Sequence, residues 1–471
     1  MRSRRARRWS VSTDASLAIA SFFAPGSIAV VGASANPQKI GYVVLDNLQR
    51  GRYGGRLYAV NPRSPRILGL RAYPDVLALD EAPELAILTV PTRAVAKVLD
   101  QCGQKGVRSV LIITAGFRET GPAGRVAEDE LVATARRYGM RLVGPNSVGV
   151  INTSARLNAT FAETAPVQYE VGMFSQSGAV AAAILDWARS IDLGFSKFVS
   201  LGNMADLNEV DFLEYLGQDV DTKIIVGYLE GISDGRRFMA AAQRVTKAKP
   251  LIVIKVGSTP GGARAARSHT GALASAEAVI DGAFRQAGII RAITMAEFFD
   301  AILCFSYAPL PNGGRVAVVT NAGGPGVMAA DAIERMGLSL AELSHETRQA
   351  LAEGLPPAAA LGNPIDVLGD AAADRYQVAL EAAQADPSVD ALLALLTPQR
   401  VTEPERTARV IAHLARQQAK PLLAVFMGGA AVGRARAMLD EMRVPVYAYP
   451  ERAVRALAAM VRYRAYLNEA G

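Results

Sequence analysis

Residues 27–34 read Ser-Ile-Ala-Val-Val-Gly-Ala-Ser, and this stretch decides the fold class. A short apolar run that ends in small residues is typical of a buried first strand in a parallel sheet. A helical pattern follows over residues 40–50, and apolar runs alternate with helical stretches through the rest of the chain. This alternation predicts an α/β protein built from parallel βαβ units.

The same pattern divides the chain into three blocks. A Pro/Gly-rich joint at residues 309–314 separates the second block from the third. In the first block we expect strands at 27–31, 56–60, 85–89, 109–114 and 140–143, with helices at 40–50, 92–105 and 124–138. In the second block we expect strands near 170–174, 197–201, 223–229, 250–256 and 288–292, and the third begins with a strand at 315–319. The predicted organisation is a disordered basic tail (1–14) and domains at 15–148, 149–308 and 309–471.

Composition excludes several classes of protein. The chain has 471 residues, of which half are hydrophobic and 20% are charged, so it is neither disordered nor collagen-like. Its two cysteines, Cys102 and Cys304, cannot form a disulfide framework, which favours a reducing compartment. The three histidines, at 269, 345 and 413, lie far apart in sequence, and we predict no metal site.

The net charge of +7 comes largely from five arginines at positions 2, 4, 5, 7 and 8. Because the rest of the chain is close to neutral and has no basic helix with interleaved aromatic residues, we predict no nucleic-acid partner. The Arg cluster and the uncharged residues 15–38 could also indicate an export signal. However, Pro25-Gly26 divides that stretch into pieces too short to span a bilayer, so we predict a cytoplasmic protein with no membrane association.

Blocks two and three resemble each other and indicate a divergent repeat. Each begins with a strand, a turn of small residues and an Ala-rich helix, and each later repeats a Lys-Pro-Leu strand entry, at 249–251 and 420–422. After that entry, block two is longer by about 14 residues on the repeat alignment. The additional loop spans 259–271 and contains His269. Long loops on a repeated scaffold are where functional residues are often found.

The turn after the first strand could bind a phosphate. Small residues between a strand and a helix let backbone N–H groups and the helix dipole meet an anion. The segment 32–41 is not a GxGxxG fingerprint, and Arg63 stands near the position where a nicotinamide site would need an acid. With Lys39 at the first turn, Arg63 suits a more heavily phosphorylated nucleotide. The alternative is a structural Gly turn with surface cations.

The two repeat turns form a second phosphate-site candidate. Ser175-Gln176-Ser177-Gly178 and Asn321-Ala322-Gly323-Gly324 each place small residues at a helix N-terminus. Two such helices aimed at one point would hold a tetrahedral anion through N–H groups, hydroxyls and helix dipoles. Taken singly, each could be only a tight strand-to-helix turn, but the matched pair favours a phosphate cradle.

His269 and Glu230 form a candidate catalytic pair. An imidazole is nucleophilic at neutral pH and can accept a phosphoryl group, and a carboxylate would orient its other nitrogen. Glu230 ends an apolar strand, where the carboxyl ends of strands meet a site crevice. The counterpart strand in block three ends at Thr397-Pro398 without an acid, so the acid and the His loop are missing from it together. Taken alone, a loop histidine is more often solvated, and we interpret His345 and His413 as structural.

These residues resemble a known family, the alpha subunits of ADP-forming acyl-CoA synthetases in the succinyl-CoA ligase superfamily. The resemblance covers about residues 15–465 and rests on six motifs. The motifs are Ser268–Ala274, Tyr228–Gly231, Gly144–Val150, Ser175–Ala179, Asn321–Gly326 and Gly362–Val367. The chain departs from the family at Met204, where Lys is expected, and at Ser147, where Cys is common.

The resemblance implies a Rossmann-like CoA-binding domain followed by two flavodoxin-like domains. It assigns the CoA-binding positions to Gly32, Ala33, Ser34, Lys39, Asn61, Pro62, Arg63, Val90, Pro91, Thr114, Ala115 and Gly116. It also implies a reversible reaction in which acyl-CoA, phosphate and ADP give a carboxylic acid, CoA and ATP. His269 would carry the phosphoryl group, Glu230 would hold the imidazole, and the two repeat turns would cradle the phosphate.

The resemblance also implies a partner. The chain has no Walker motif and no ATP-grasp module, so ATP or ADP and Mg²⁺ are expected on a separate ATP-grasp beta subunit, in a heterotetramer or similar complex. The first rival interpretation is a non-catalytic regulatory protein that binds CoA or acyl-CoA. The second, a nicotinamide-dependent dehydrogenase, is disfavoured because the fingerprint and its acidic residue are missing. The sequence leaves the small carboxylic acid open.

Overall fold

The computed structural model describes residues 19–162, 167–191, 193–262, 264 and 277–470. Its described residues form two compact units, one within 1–249 and 255–283 and the other within 250–254 and 284–471. We call them unit 1 and unit 2. The α/β fold class is confirmed, with three sets of mostly parallel strands.

Unit 1 begins with a Rossmann-like sheet in the order β3-β4-β2-β1-β5-β6-β7. All its pairings are parallel except β3 with β4, and strand order reverses between β1 and β5. A ligand crevice is therefore expected at the carboxyl ends of those two strands. The strands are β1 (Ser27–Val31), β2 (Arg56–Val60), β3 (Arg66–Ile67), β4 (Leu70–Tyr73), β5 (Leu85–Leu88), β6 (Ser109–Ile112) and β7 (Arg141–Val143). The helices are α1 (Ile40–Arg50), α2 (Thr92–Lys105), a 3₁₀ turn (Arg118–Thr120) and α3 (Pro122–Tyr138).

The same unit continues into a second sheet, where its strands have the order β12-β10-β11-β8-β9. β10 pairs in parallel with β11 and β12, whereas β8 pairs antiparallel with β9 and β11. The strands are β8 (Gly149–Asn152), β9 (Leu157–Thr160), β10 (Gln168–Ser175), β11 (Phe195–Ser200) and β12 (Ile224–Leu229). The helices are α4 (Gly178–Ser190), α5 (Glu209–Gln218) and α6 (Gly235–Thr246).

Next along the chain come β13 (Leu251–Lys255), α7 (Glu277–Gln286) and β14 (Ile290–Ala292), and β13 pairs in parallel with β14. Unit 2 then forms a parallel sheet in the order β16-β15-β18-β19-β20, with β17 also paired to β15. Its strands are β15 (Arg315–Thr320), β16 (Ser339–Leu340), β17 (Ile365–Asp366), β18 (Ala391–Leu396), β19 (Leu422–Phe426) and β20 (Val446–Tyr447). The helices are α8 (Met295–Tyr307), α9 (Gly323–Arg335), α10 (His345–Gly354), α11 (Ala373–Ala385), α12 (Pro404–Ala415), α13 (Ala430–Glu441) and α14 (Pro450–Ala470).

The unit 2 sheet is buried on both faces. Along β15, Val316 and Val318 belong to one apolar core, whereas Ala317 and Val319 belong to another. Successive residues of a strand point to opposite faces, so helices must cover each side of the sheet. This is why the strands read as continuous apolar runs, and it places the functional groups at the strand ends.

Candidate functional site

The predicted CoA-binding residues lie at the carboxyl ends of four neighbouring strands of unit 1. They follow β1, β2, β5 and β6, on either side of the point where strand order reverses. Side chains tie these ends together: Asn61 Nδ2 donates to Ala33 O at 2.7 Å, and Thr114 Oγ1 donates to Val90 O at 2.7 Å. Thr92 Oγ1 likewise donates to Ala115 O at 2.8 Å. The structure therefore brings the predicted segments together at one edge of the sheet.

The turn after β1 requires glycine at two positions. Gly32 has φ +98°, a backbone conformation that favours glycine. A Cβ on Gly41, in the first turn of α1, would lie 2.0 Å from Gly32 O. The helix N-terminus is thus held against the strand end, where Lys39 and Arg63 are exposed to solvent. This combination of a helix N-terminus and exposed cations suits an anionic ligand.

Glu230 follows β12 in unit 1 and is 8% exposed. The Gln176 side chain holds its backbone, because Oε1 accepts from Glu230 N (2.6 Å) and Gly231 N (2.9 Å), while Nε2 donates to Gly231 O (2.8 Å). Glu230 O accepts from Lys255 Nζ at 2.8 Å. Burial and the Glu230 charge raise the pKa of Tyr228 on the same strand.

The N-terminus of α4 has a self-contained turn. Ser175 Oγ donates to Ser177 O (2.8 Å) and accepts from Ser177 N (3.2 Å), and Ser177 caps α4 by accepting from Val180 N. Gly178 N and Ala179 N open the helix, where backbone donors have no partner within the helix. The main-chain N–H of Gln176 donates to Tyr228 O. The first helical N–H groups thus remain the donors best suited to an anion.

Unit 2 repeats this turn at the start of α9. Thr320 Oγ1 donates to Ala322 O (2.9 Å) and accepts from Ala322 N (3.1 Å), as Ser175 does with Ser177. The Asn321 side chain holds Thr397 at the end of β18: Nδ2 donates to Thr397 O, and Oδ1 accepts from Thr397 N, each at 2.9 Å. No side chain caps α9, and Gly323 and Gly324 are exposed. The two repeat turns share one internal geometry, and their joint phosphate cradle stays a prediction.

His269 lies outside the described residues, as do residues 265–276 around it. The described segment before it, however, is tied to the Glu230 strand end, because Val256 N donates to Leu229 O at 3.0 Å. His345 and His413 lie on α10 and α12 with exposed side chains, and the Ser344 side chain caps α10 by accepting from Thr347 N.

Sequence reasoning missed a carboxylate cluster around Asn203. Asn203 Nδ2 donates to Glu119 Oε2 (2.6 Å) and Glu128 Oε2 (2.8 Å), and Glu119 Oε1 accepts from Gly116 N and Phe117 N. The pKa of Glu128 is raised, because burial raises it more than the hydrogen bond from Asn203 lowers it. Burial also acts to raise the pKa of Glu119, but hydrogen bonds from Asn203 and the Gly116 N–H lower it overall. The cluster therefore connects the predicted CoA-binding loop to the Gly202–Met204 turn.

Sequence reasoning also missed Lys255. It is 7% exposed at the end of the apolar strand β13, and its Nζ also donates to Val256 O at 2.6 Å. A lysine ending a run of buried aliphatic residues just before the His loop was the signal that could have identified it.

Sequence models of three protein families match successive parts of the chain. The "CoA binding domain" matches residues 26–153, the "Succinyl-CoA ligase like flavodoxin domain" residues 168–305, and the "Ligase-CoA domain" residues 316–468. The prediction of a CoA-binding domain followed by flavodoxin-like domains is thereby confirmed. Among the described residues, no helix is long and apolar enough to cross a membrane.

Curated relatives and a solved structure match nearly the whole chain. The alpha subunit of ADP-forming acetate–CoA ligase II from Pyrococcus furiosus is 44% identical, over 94% of this chain and 97% of that protein. ADP-forming acetate–CoA ligase I from Archaeoglobus fulgidus is 43% identical over 94% of this chain, which spans 63% of that longer protein. The dinucleotide-forming acetyl-coenzyme A synthetase 1 from Ca. Korarchaeum cryptofilum, solved with phosphate and ADP, has a TM-score of 0.91 at 39% identity, covering 96% of this chain and 98% of that one.

Proposed function

Because the chain belongs to the family of ADP-forming acetate–CoA ligase alpha subunits, we propose that it is the phosphohistidine-carrying subunit of an ADP-forming acyl-CoA synthetase. One observation carries the proposal. The segment that leads into the His269 loop is hydrogen-bonded to the strand end that presents Glu230, through Val256 N and Lys255 Nζ. The equivalent strand end in unit 2 presents Thr397, so the acid accompanies the His loop.

Phosphate attacks the carbonyl carbon of the acyl-CoA thioester, the carbon–sulfur bond breaks, and acyl phosphate and CoA result. One nitrogen of His269 then attacks the phosphorus, and the carboxylic acid leaves with the bridging oxygen as its carboxylate. Glu230 accepts a hydrogen bond from the other imidazole nitrogen and stabilises the positive charge that develops on the ring. Transfer of the phosphoryl group to ADP regenerates the free histidine and forms ATP. Every step is reversible.

The two repeat turns would hold the phosphoryl group. At Ser175–Gly178 and Asn321–Gly324, the first helical N–H groups of α4 and α9 supply donors and positive dipole ends. Ser177 adds a hydroxyl at the first turn, whereas Gly323 and Gly324 leave backbone donors exposed at the second. These groups would bind a tetrahedral oxyanion through hydrogen bonds and the helix dipoles.

CoA would lie across the carboxyl ends of β1, β2, β5 and β6. Backbone at Gly32–Ser34, Val90–Pro91 and Thr114–Gly116 would line this site and Asn61-Pro62 would form its corner, which the hydrogen bonds that join these segments support. Lys39 and Arg63 supply exposed cations for CoA phosphates. We place the domain boundaries at 148/149 and 308/309.

The nucleotide site would lie on a separate ATP-grasp beta subunit, where Mg²⁺ would neutralise the phosphates of ATP or ADP. The names of the Pyrococcus furiosus relatives, which are alpha subunits, support a partner of this kind. A cytoplasmic location accords with two free, buried cysteines.

The test combines the purified chain with an ATP-grasp beta subunit, acyl-CoA and radiolabelled phosphate. An acid-labile, base-stable label at His269 that is discharged by ADP is the expected result. His269→Ala should lose the label and turnover while CoA still binds, and His413→Ala, which removes an exposed histidine on α12, should retain both. A fully active His269→Ala variant would refute the mechanism. If CoA binds tightly but a broad acyl-CoA panel gives no label, the chain is instead a CoA-binding regulatory protein.

A further inference from the structure

The backbone beneath Glu230 is held at all four of its nearest polar groups. Gln176 occupies the N–H of Glu230 and both the N–H and C=O of Gly231, and Lys255 occupies the C=O of Glu230. Next along the chain, Ser233 N donates to the carboxylate of Glu209, a fully buried residue, at 2.8 Å. The acidic side chain therefore belongs to a short segment that cannot shift without breaking several hydrogen bonds, of which the one from Lys255 is buried.

We propose that Gln176 is a positioning residue that acts through Glu230: its amide fixes the Glu230–Gly231 peptide and thereby sets the direction from which the carboxylate meets the imidazole of His269. This inference rests on the proposed function and changes the role of Gln176 from phosphate ligand to support for the acid. A carboxylate that orients an imidazole must hold its angle and distance closely, and outer groups that orient such ligands commonly matter 10- to 100-fold.

Only an amide satisfies this environment. Gln176 must accept two N–H groups through one atom and donate to a carbonyl through another, which a carboxylate cannot do because it has no donor when ionised. A leucine of similar size would leave Glu230 N, Gly231 N and Gly231 O without these partners. Nε2 also contacts Met204 Sδ at 3.4 Å, which fixes the orientation of the amide.

The repeat supplies the competing explanation. In unit 2, Asn321 holds the N–H and C=O of Thr397 in the same manner, at a strand end that has no acid. An amide at this position could thus serve only to join a turn to a neighbouring strand. The two explanations predict different effects of removing the Gln176 amide. If Gln176 only supports the fold, its loss slows catalysis equally with and without the Glu230 carboxylate. If Gln176 positions Glu230, its loss slows catalysis only when that carboxylate is present.

A double-mutant cycle therefore decides between them. The rate of His269 phosphorylation from acyl-CoA and phosphate is measured in single turnovers of the complex with the beta subunit, for Gln176→Leu, Glu230→Ala and the double variant. We expect Gln176→Leu to slow phosphorylation about 10- to 100-fold in the presence of Glu230 and less than about threefold in its absence. CoA affinity should stay within about twofold of the original. Equal losses in both backgrounds, or no loss with Glu230 present, overturn the proposal.

Two further variants keep the result interpretable. Gln176→Glu retains the acceptor for the two N–H groups but places an oxygen against Gly231 O. We expect it to slow His269 phosphorylation when Glu230 is present and to have little effect when Glu230 is replaced by alanine. Asn47→Leu removes a buried amide of unit 1 that donates to Thr160 O and Ala162 O, and it should phosphorylate at the original rate. If Asn47→Leu is slowed as much as Gln176→Leu, the effect is one of general stability and the proposal is wrong. The proposed function fails separately, if the unaltered complex forms no phosphohistidine.

Discussion

Replacing Asn203 with alanine should destabilise unit 1 in a pH-dependent manner. Asn203 is 7% exposed, and its Nδ2 is the shared donor to Glu119 and Glu128, of which Glu128 is 4% exposed. A hydrogen bond to a charged group contributes about 1.5–3 kcal/mol, and losing two while both carboxylates stay in place should cost about 3 kcal/mol or more at pH 8. Arg118, which approaches Glu128 at 3.4 Å, limits the loss.

The sign of the pH effect follows from the two carboxyl groups. The folded-state pKa of Glu128 is raised, so even in the original protein folding becomes less favourable as the pH rises through that pKa. Removing the Asn203 donor raises the pKa of Glu128 further. Because the pKa of Glu119 is lowered, its stabilisation is present above the ordinary pKa of glutamate and is lost as the pH falls. The cost of Asn203→Ala should therefore be largest near pH 8 and should decrease toward pH 5, as Glu128 takes up a proton.

Urea unfolding followed by the fluorescence of Trp187, which lies on α4 of unit 1, measures this cost. Gln49→Ala is the matched control, because it removes an uncharged hydrogen bond to Leu68 O and should cost about 1 kcal/mol at either pH. A loss below about 1 kcal/mol at pH 8 for Asn203→Ala, or equal losses at pH 8 and pH 5, would refute the reasoning.

Three further outcomes are expected. Gly41→Ala places a Cβ 2.0 Å from Gly32 O, so it should weaken CoA binding in calorimetry and lower the free energy of unfolding in urea by about 1–3 kcal/mol. The control Gly54→Ala, with no atom within 4 Å of the added Cβ, should change neither quantity. Arg452→Met leaves the carboxylate of Asp300, 2% exposed, without its bidentate partner and should cost unit 2 about 3–5 kcal/mol. The control Arg335→Met removes an exposed pair with Asp331 and should change the unfolding free energy by less than about 1 kcal/mol. Burial acts to raise the pKa of Asp386, but N–H donors of Ser344 and Ser388 outweigh it and lower the pKa to about 2. The stability that this carboxylate contributes should therefore be lost as the pH falls from about 4 to about 2. An acid titration of Asp386→Asn should lack that loss.

The parallel strands and their helices could be predicted from the sequence because burial on both faces makes the signal strong. The strands predicted at 27–31 and 56–60 and the helices at 40–50 and 92–105 have those bounds in the structure. The antiparallel pair β8 (Gly149–Asn152) and β9 (Leu157–Thr160) went unnoticed. Both contain asparagine, and neither forms a long apolar run, so the pairing of β8 with β9 and β11 could not be predicted from local pattern.

Positions of the site could be predicted more readily than its hydrogen bonds. The rule that ligands lie at the carboxyl ends of parallel strands predicted the phosphate-binding turn after β1 and the acid at the end of β12, whereas the segments after β5 and β6 were implied by the family resemblance. It could not show where the Gln176 amide points, because that depends on a peptide 54 residues away. The Asn203 cluster joins residues separated by 84 and 75 positions, and no local pattern reports such contacts.

The same turn geometry occurs in both units and holds the end of a neighbouring strand in each. Ser175 and Thr320 form the same hydroxyl-closed turn, and Gln176 and Asn321 each bind the backbone at the end of a neighbouring strand. A strand end held in this way is rigid whatever residue occupies it, so an acid introduced there is oriented without further change to the fold. Unit 1 places Glu230 on such an end, beside the segment that leads to His269, and its counterpart places Thr397. Under the proposed function, the difference between the repeats therefore lies in one side chain and one loop, and the turn that holds the strand end is common to both.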